Sequence, residues 1–226
     1  MRQDPYIKEL AGRYQHPAFI DEVGLSSIFG ELVACAAQIF CGFYNDRIND
    51  SKQMKQEELY RVAEDILNNP SSVCSVAHGI GIVTPKELNE IKNMHTADKL
   101  AMTRAVKALP VTPDALFVDG LFTLPESGIT SYSVVKGDCK VFGIALASVI
   151  AKYHRDHLMM GKYGRSHARY DILKNKGYRS PRHLVSIRKW GITPEHRAWM
   201  PQIKQVLAGD YDSVIMKKYR HYWEST

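Results

Sequence analysis

The hydrophobic and polar positions of this chain alternate between two periods, and the elements follow from them. Ala18-Phe19-Ile20 is a short apolar run that ends in two adjacent acids, Asp21 and Glu22, with Gly24 soon after. It reads as a first strand, Ala18–Asp21. Adjacent strand residues point to opposite faces, so one acid projects over the sheet and the other sits at its rim. After the turn L-S-S-I-F-G, the run E-L-V-A-C-A-A-Q-I-F is apolar and short enough for a strand or a buried helix. Its place just after a glycine-containing turn favours an antiparallel partner for the first strand. Met54, Leu59, Val62, Ala63 and Ile66 then recur at helical spacing, with Asp50 or Ser51 as the N-cap and Asn68-Asn69-Pro70 as the stop. Val73 to Val83 alternates like a strand. Thr84-Pro85-x-Glu87 carries an N-cap, a proline and a first-turn acid, and starts a helix or helix pair running to about Leu109.

The second half repeats the theme. Ala115–Val118 is continuously apolar, as a strand buried on both faces should be, and it too ends in an acid and a glycine, Asp119-Gly120. Ser131–Val135 is a further strand. From Asp138 a helix rich in small residues begins, with Val141, Ile144, Ala145, Ser148 and Val149 on its core side and Gly143 permitting close approach to the sheet. Hairpin strands, helix, strand, helices, two strands and a long helix make a layered α/β or α+β fold with a mixed sheet. Residues 1–17 form a polar leader with one helical turn near Ile7 to Leu10. The tail from Gln202 is expected to pack as a helix before its basic aromatic end.

Composition adds limits. The 226 residues suffice for one core of ordinary size. No window approaches the apolar length of a membrane span, and the polar N-terminus does not read as a signal peptide. Cys35, Cys41, Cys74 and Cys139 lack paired metal-ligand spacing, so reduced cysteines and a cytoplasmic location are expected. The net charge is +6, and from Lys152 to Lys189 eleven Lys or Arg face two acids, Asp156 and Asp171. Tyr153, Tyr163, Tyr170 and Tyr178 are interleaved there. Such a stretch suits a phosphate backbone, and equally suits a solvated face.

The acids carry the chemistry. Asp21 and Glu22 end one strand, Asp119 ends another, and Asp138 opens a helix behind Lys136-Gly137. Strand ends and helix starts of a layered α/β fold meet along one edge, where sites form. Two unit charges ~4 Å apart repel by about 4 kcal/mol at an effective dielectric of ~20. Four gathered acids therefore take up protons or hold cations, and two Mg²⁺ ions would turn them into a clamp for phosphoryl chemistry. Taken singly, each acid is equally a cap or a turn residue.

On these residues the chain resembles the type 2 ribonuclease H (ribonuclease HII) family. The pieces that carry the resemblance come in order: D-E-V-G at 21–24, N-D-S-K at 49–52, L-A-M-x-R-A-V at 100–106 and V-D-G at 118–120. K-G-D-x-K at 136–140 follows, running on to I-A-x-A-S-x-I-A-K and Lys152 with Arg155-Asp156 beyond, then K-G-Y at 176–178 and G-x-x-P-x-H-R at 191–197. The resemblance covers roughly Phe19 to Trp199. It implies a ribonuclease H-like mixed sheet flanked by helices over 18–160, with a basic helical extension of the same domain over 161–226.

The resemblance further implies an endoribonuclease that cuts RNA in RNA–DNA hybrids or at ribonucleotides within duplex DNA, leaving 3′-hydroxyl and 5′-phosphate ends. That places it in DNA replication and repair. Asp21, Glu22, Asp119 and Asp138 would hold two Mg²⁺ or Mn²⁺ ions. Tyr178 matches the tyrosine that stacks at the ribonucleotide–deoxyribonucleotide junction, and Lys52, Lys136 and Lys152 match basic positions near the site or the phosphate backbone. Lys140 and Ser148 read as structural. The expected partner is the nucleic acid, and the expected state is a monomer.

Two stretches depart from the family. Where it has G-R-G, this chain has Gly24-Leu25-Ser26, which removes a cation and places serine where glycine could take a positive φ without strain. Junction recognition is expected to be altered, and a binding relative with weak turnover is the alternative function. Asn175 stands where histidine usually precedes K-G-Y.

Overall fold

Strand β1, Pro17–Val23, is central in a five-stranded sheet. The structure is a computed structural model describing residues 4–40, 42–48, 54–68 and 75–209. β2, Leu32–Ile39, pairs antiparallel with β1 in the register Asp21 to Cys35 and Glu22 to Ala34. β3, Val76–Val83, lies beyond β2. On the other side β4, Ala115–Asp119, runs parallel to β1, and β5, Thr130–Val134, runs parallel to β4. The sheet is mixed, as the strand order in the sequence predicts. The antiparallel pair is allowed by a short connection, whereas the parallel pair requires the helical crossover between β3 and β4.

The helices are α1 (Pro5–Ala11), α2 (Gln56–Asn68), α3 (Pro85–Ile91), α4 (Met94–Lys107), α5 (Gly137–Lys140), α6 (Phe142–Tyr163), α7 (Ile172–Asn175), α8 (Pro181–Trp190) and α9 (Pro201–Leu207). Each boundary has a local cause. Asp4 caps α1 by accepting from the Tyr6 and Ile7 amides. Thr84 and Glu87 form a reciprocal capping box on α3. Lys92 in the left-handed conformation ends α3 and separates it from α4, so the predicted helix pair is two helices. The helix expected from Asp138 is likewise broken, because Val141 is extended (φ −127°, ψ 115°). The long helix that follows is buried over residues 144–151 on all sides, not on one face. A helix that is apolar all round belongs inside a fold.

The chain divides into two compact units. The first, Met1–Val23, Val33–Ile82 and Asp98–His154, contains nearly all of the sheet. Leu59, Val62, Ala63 and Ile66 of α2 join Ala145, Leu146, Val149 and Ile150 of α6 in its main core. Phe19, Phe117, Val134 and Ile144 form a second cluster. A Cβ on Gly143 would overlap the Phe19 ring, and Cβ atoms on Gly79 and Gly81 would overlap the Ala105 and Ala101 carbonyls of α4. Both helices approach the sheet more closely than a side chain would permit.

The second unit is Gly24–Leu32, Val83–Ala97 and Arg155–Thr226. Its core gathers Phe29, Met159, Tyr163, Tyr170, Leu184, Ile187, Ile203 and Val206. The helix expected after Gln202 is present as α9 and buries Ile203 and Val206.

Candidate functional site

β1 delivers two acids at its end. Asp21 is 3% exposed, and its carboxylate accepts hydrogen bonds from the Glu22 amide at 2.8 Å and from the Ser148 hydroxyl on α6. Glu22 is half-buried, and its foremost charged neighbour is Asp98 on α4. β4 ends in Asp119, whose Oδ1 accepts from the Gly137 amide at 2.6 Å. The left-handed backbone of Lys136 (φ +56°) turns the chain so that this amide reaches it. A Cβ on Gly137 would overlap Ile144, so the close approach needs glycine. The next residue, Asp138, is 3% exposed.

One carboxylate oxygen from each of Asp21, Glu22 and Asp119 lies within 4.8 Å of the others. Asp138 lies in the same unit but outside that set. Burial, followed by the charges of Glu22 and Asp119, raises the Asp21 carboxyl well above its ordinary value. Burial, then Asp98 and Asp119, pushes Glu22 up to about 8. Burial, then Asp21 and Asp119, pushes Asp98 up to about 7. Three acids that resist ionisation together mark a site short of positive charge. Hard oxygen ligands gathered in this way fit a divalent cation such as Mg²⁺ or Mn²⁺.

Two members of this neighbourhood are not evident from motif spacing. Ser148 reads as structural in the sequence, yet its hydroxyl holds Asp21. Asp98 shares the inward stripe of α4 with Ala101, Met102 and Ala105, all buried. Its signal is an acid at a core-facing helical position.

The other expected binding residues belong to the second unit or stand apart. Gly24 has φ +102°, and a Cβ there would overlap Arg155. Leu25 and Ser26 are exposed. Ser26 is not among the positive-φ residues, so the strain expected of serine there does not arise. Tyr178 is half-buried, with the Arg155 guanidinium 5.0 Å from its ring centroid. Asn175 braces the turn that carries it, donating to the Tyr170 carbonyl at 2.6 Å and accepting from the Gly177 amide at 2.8 Å. Lys136 is exposed and Lys152 half-buried. Lys52 lies outside the described residues, as do Asp50, Ser51, Cys41 and Cys74.

The basic stretch divides on folding. Arg155 and Lys176 are buried, and Lys162 pairs with Glu31 at 2.8 Å. Arg165, Arg169, Lys174, Arg179, Arg182, Arg188 and Lys189 are exposed. Tyr163 and Tyr170 are core residues, which removes them as stacking candidates.

The Ribonuclease HII family model matches residues 18–206. Ribonuclease HII of Macrococcus caseolyticus is 37% identical over 202 residues, covering 88% of this chain and 72% of that protein. Among solved structures, the ribonuclease H2 of Pyrococcus horikoshii shares the fold at a TM-score of 0.69 and 21% identity, over 91% of this chain and 99% of that one. Bst ribonuclease HIII in complex with Mn²⁺ does so at 0.64 and 21%, over 90% of this chain and 70% of that one. With the family model spanning the strands and helices that carry the acids, and close relatives extending over most of its length, the chain belongs to the ribonuclease HII family.

Proposed function

We infer that this protein cuts RNA within RNA–DNA hybrids, or duplex DNA at embedded ribonucleotides, leaving 3′-hydroxyl and 5′-phosphate ends. The endoribonuclease activity of ribonuclease H type follows from its family. The observation that carries the reaction to named residues is the gathering of Asp21, Glu22 and Asp119 within 4.8 Å. With the buried Asp138, these acids would hold two divalent ions, Mg²⁺ or Mn²⁺; the neighbouring fold of the Bst ribonuclease HIII was solved with Mn²⁺. When bound, such ions activate water and stabilise the leaving 3′-oxygen of an in-line displacement. The chain's own part is orientation. Ser148 and the Glu22 amide fix Asp21, and the Gly137 amide fixes Asp119. These bonds hold the carboxylates in place before a cation arrives.

Recognition falls to Gly24, Leu25, Ser26 and Tyr178, with Lys52, Lys136 and Lys152 on the phosphates. Tyr178 presents a ring to a sugar at the junction, where the 2′-hydroxyl distinguishes RNA from DNA. The exposed arginines and lysines of 162–189 offer the electrostatic component of duplex binding.

The test is cleavage in Mg²⁺ or Mn²⁺ of matched duplexes bearing one, several or only ribonucleotides in one strand. Cutting 5′ of a ribonucleotide with a 3′-hydroxyl product is expected. Absence of cleavage on every substrate in both metals would refute the assignment.

A further inference from the structure

Asp98 is 4% exposed, and its Oδ1 is buried with no hydrogen-bond partner among the described residues. It occupies the face of α4 that also buries Ala101, Met102 and Ala105, where an apolar residue is expected. A carboxylate in such a place costs several kcal/mol unless something compensates it. The basic side chains nearest along the helix are engaged elsewhere: Arg104 donates to the Ile82 carbonyl at 2.6 Å, and Lys99 lies 3.6 Å from Glu126. The neighbours that Asp98 does have are Asp21, Glu22 and Asp119. Like charges add to the penalty. A cation held by Asp21, Glu22 and Asp119 would also relieve the charge of Asp98, whose electrostatic neighbours they are.

We propose that Asp98 is a fifth carboxylate of the divalent-cation centre. It stands outside the tight set formed by Asp21, Glu22 and Asp119, so it acts from the perimeter by adding negative charge to the site. This inference rests on the reading that those acids bind metal. The rival explanation is a buried acid that keeps a proton and plays no part in metal binding. An asparagine has the shape of the protonated acid, so Asp98→Asn separates the two.

The experiment is calorimetric titration of the full-length, metal-free chain with Mn²⁺, comparing wild type, Asp98→Asn and Asp119→Asn, with thermal melting of each without metal. Asp98→Asn should weaken Mn²⁺ binding on the order of 10- to 100-fold, the scale of removing one unit charge from the neighbourhood of a cation. Its melting temperature without metal should stay level or rise, since a buried repulsion is gone. Asp98→Glu, which keeps the charge, should retain more affinity than Asp98→Asn. If Asp98→Asn does not fold, Asp98→Ser carries the same expectation. Mn²⁺ affinity equal to wild type in the neutral variant overturns the role of Asp98 while leaving the centre intact. Absence of Mn²⁺ binding by the wild-type protein overturns the centre itself, and this inference with it.

Discussion

Two clusters of buried charge, one in each unit, are treated in opposite ways. In the sheet-containing unit, Asp21, Asp98 and Asp138 are buried, and Glu22 and Asp119 are half-buried. Asp21 accepts from the Glu22 amide and the Ser148 hydroxyl, and Asp119 from the Gly137 amide. In the other unit Arg155 and Arg197 are fully buried, yet their donors meet carbonyl oxygens. Arg197 reaches Gly24 at 2.7 Å, Gly30 at 3.1 Å and Glu31 at 3.1 Å. Arg155 reaches Glu31 at 2.9 Å and Lys176 at 3.0 Å, and donates to the Ser27 hydroxyl at 2.9 Å. Guanidinium forks suit such an arrangement because each offers five donors in fixed directions. The cationic cluster is completed by the protein and braces the Gly24–Glu31 segment. The anionic cluster gathers like charges that burial pushes toward protonation, and on that contrast the proposed cation site rests.

The largest expected effect tests the open cluster. Asp119→Asn or Asp138→Asn should lower cleavage on the order of 10³-fold or more, the scale of losing a transition-state stabiliser, while duplex binding in a gel-shift assay persists. Equal activity would mean that these acids do not serve the reaction. Next comes the closed cluster. Arg197→Met strands several carbonyls and should cost about 2–4 kcal/mol in urea unfolding, with Mn²⁺ affinity of the folded protein unchanged. Loss of affinity alongside stability would show that the brace also serves the metal centre.

The dependence on pH is opposite in the two units. Glu22 and Asp98 titrate at about 8 and about 7, above their ordinary 4.5 and 3.8. Across that window the folded protein holds more protons than the unfolded chain, so these acids make the metal-free protein less stable as pH rises. Burial lowers His183 to about 4 and His196 to about 3 from 6.5. Below pH 6.5 the unfolded chain holds more protons, so these histidines make the protein less stable as pH falls. Between pH 7 and 8, where the histidines are mostly neutral in both states, the melting temperature without metal should drop by a few degrees. Saturating Mg²⁺ should remove the drop, and a flat metal-free profile would contradict the open cluster. The smallest effects belong to the loop surface. Leu25→Arg should change stability by no more than about 0.5 kcal/mol and tighten duplex binding, read as a steeper salt dependence. Tyr178→Ala should reduce cutting at single ribonucleotides more than on long hybrids.

Much of this was legible from residue order. Alternating and helical periods place β1, β4, α2 and α9 within a few residues, because amphipathic patterning records which face is buried. The four acids could be proposed together because each follows a strand or starts a helix, positions that a layered fold collects at one edge. The Gly24-Leu25-Ser26 departure was also visible, but its consequence was not. The positive φ falls on Gly24, leaving Ser26 unstrained.

What the sequence determined by itself is the family and most of the strand and helix pattern, and it offered the candidate acids, since these depend on local period and spacing. Only tertiary structure decided which charges are enclosed. Arg155 and Lys176 count among the basic residues of one stretch, yet fold inward. Tyr163 and Tyr170 pack in a core instead of facing a ligand. Asp98 looks like an ordinary helical acid until α4 packs against β3 through Gly79 and Gly81. Burial and partnership are set by contacts between residues distant in the chain, and the energy of a charge depends on both.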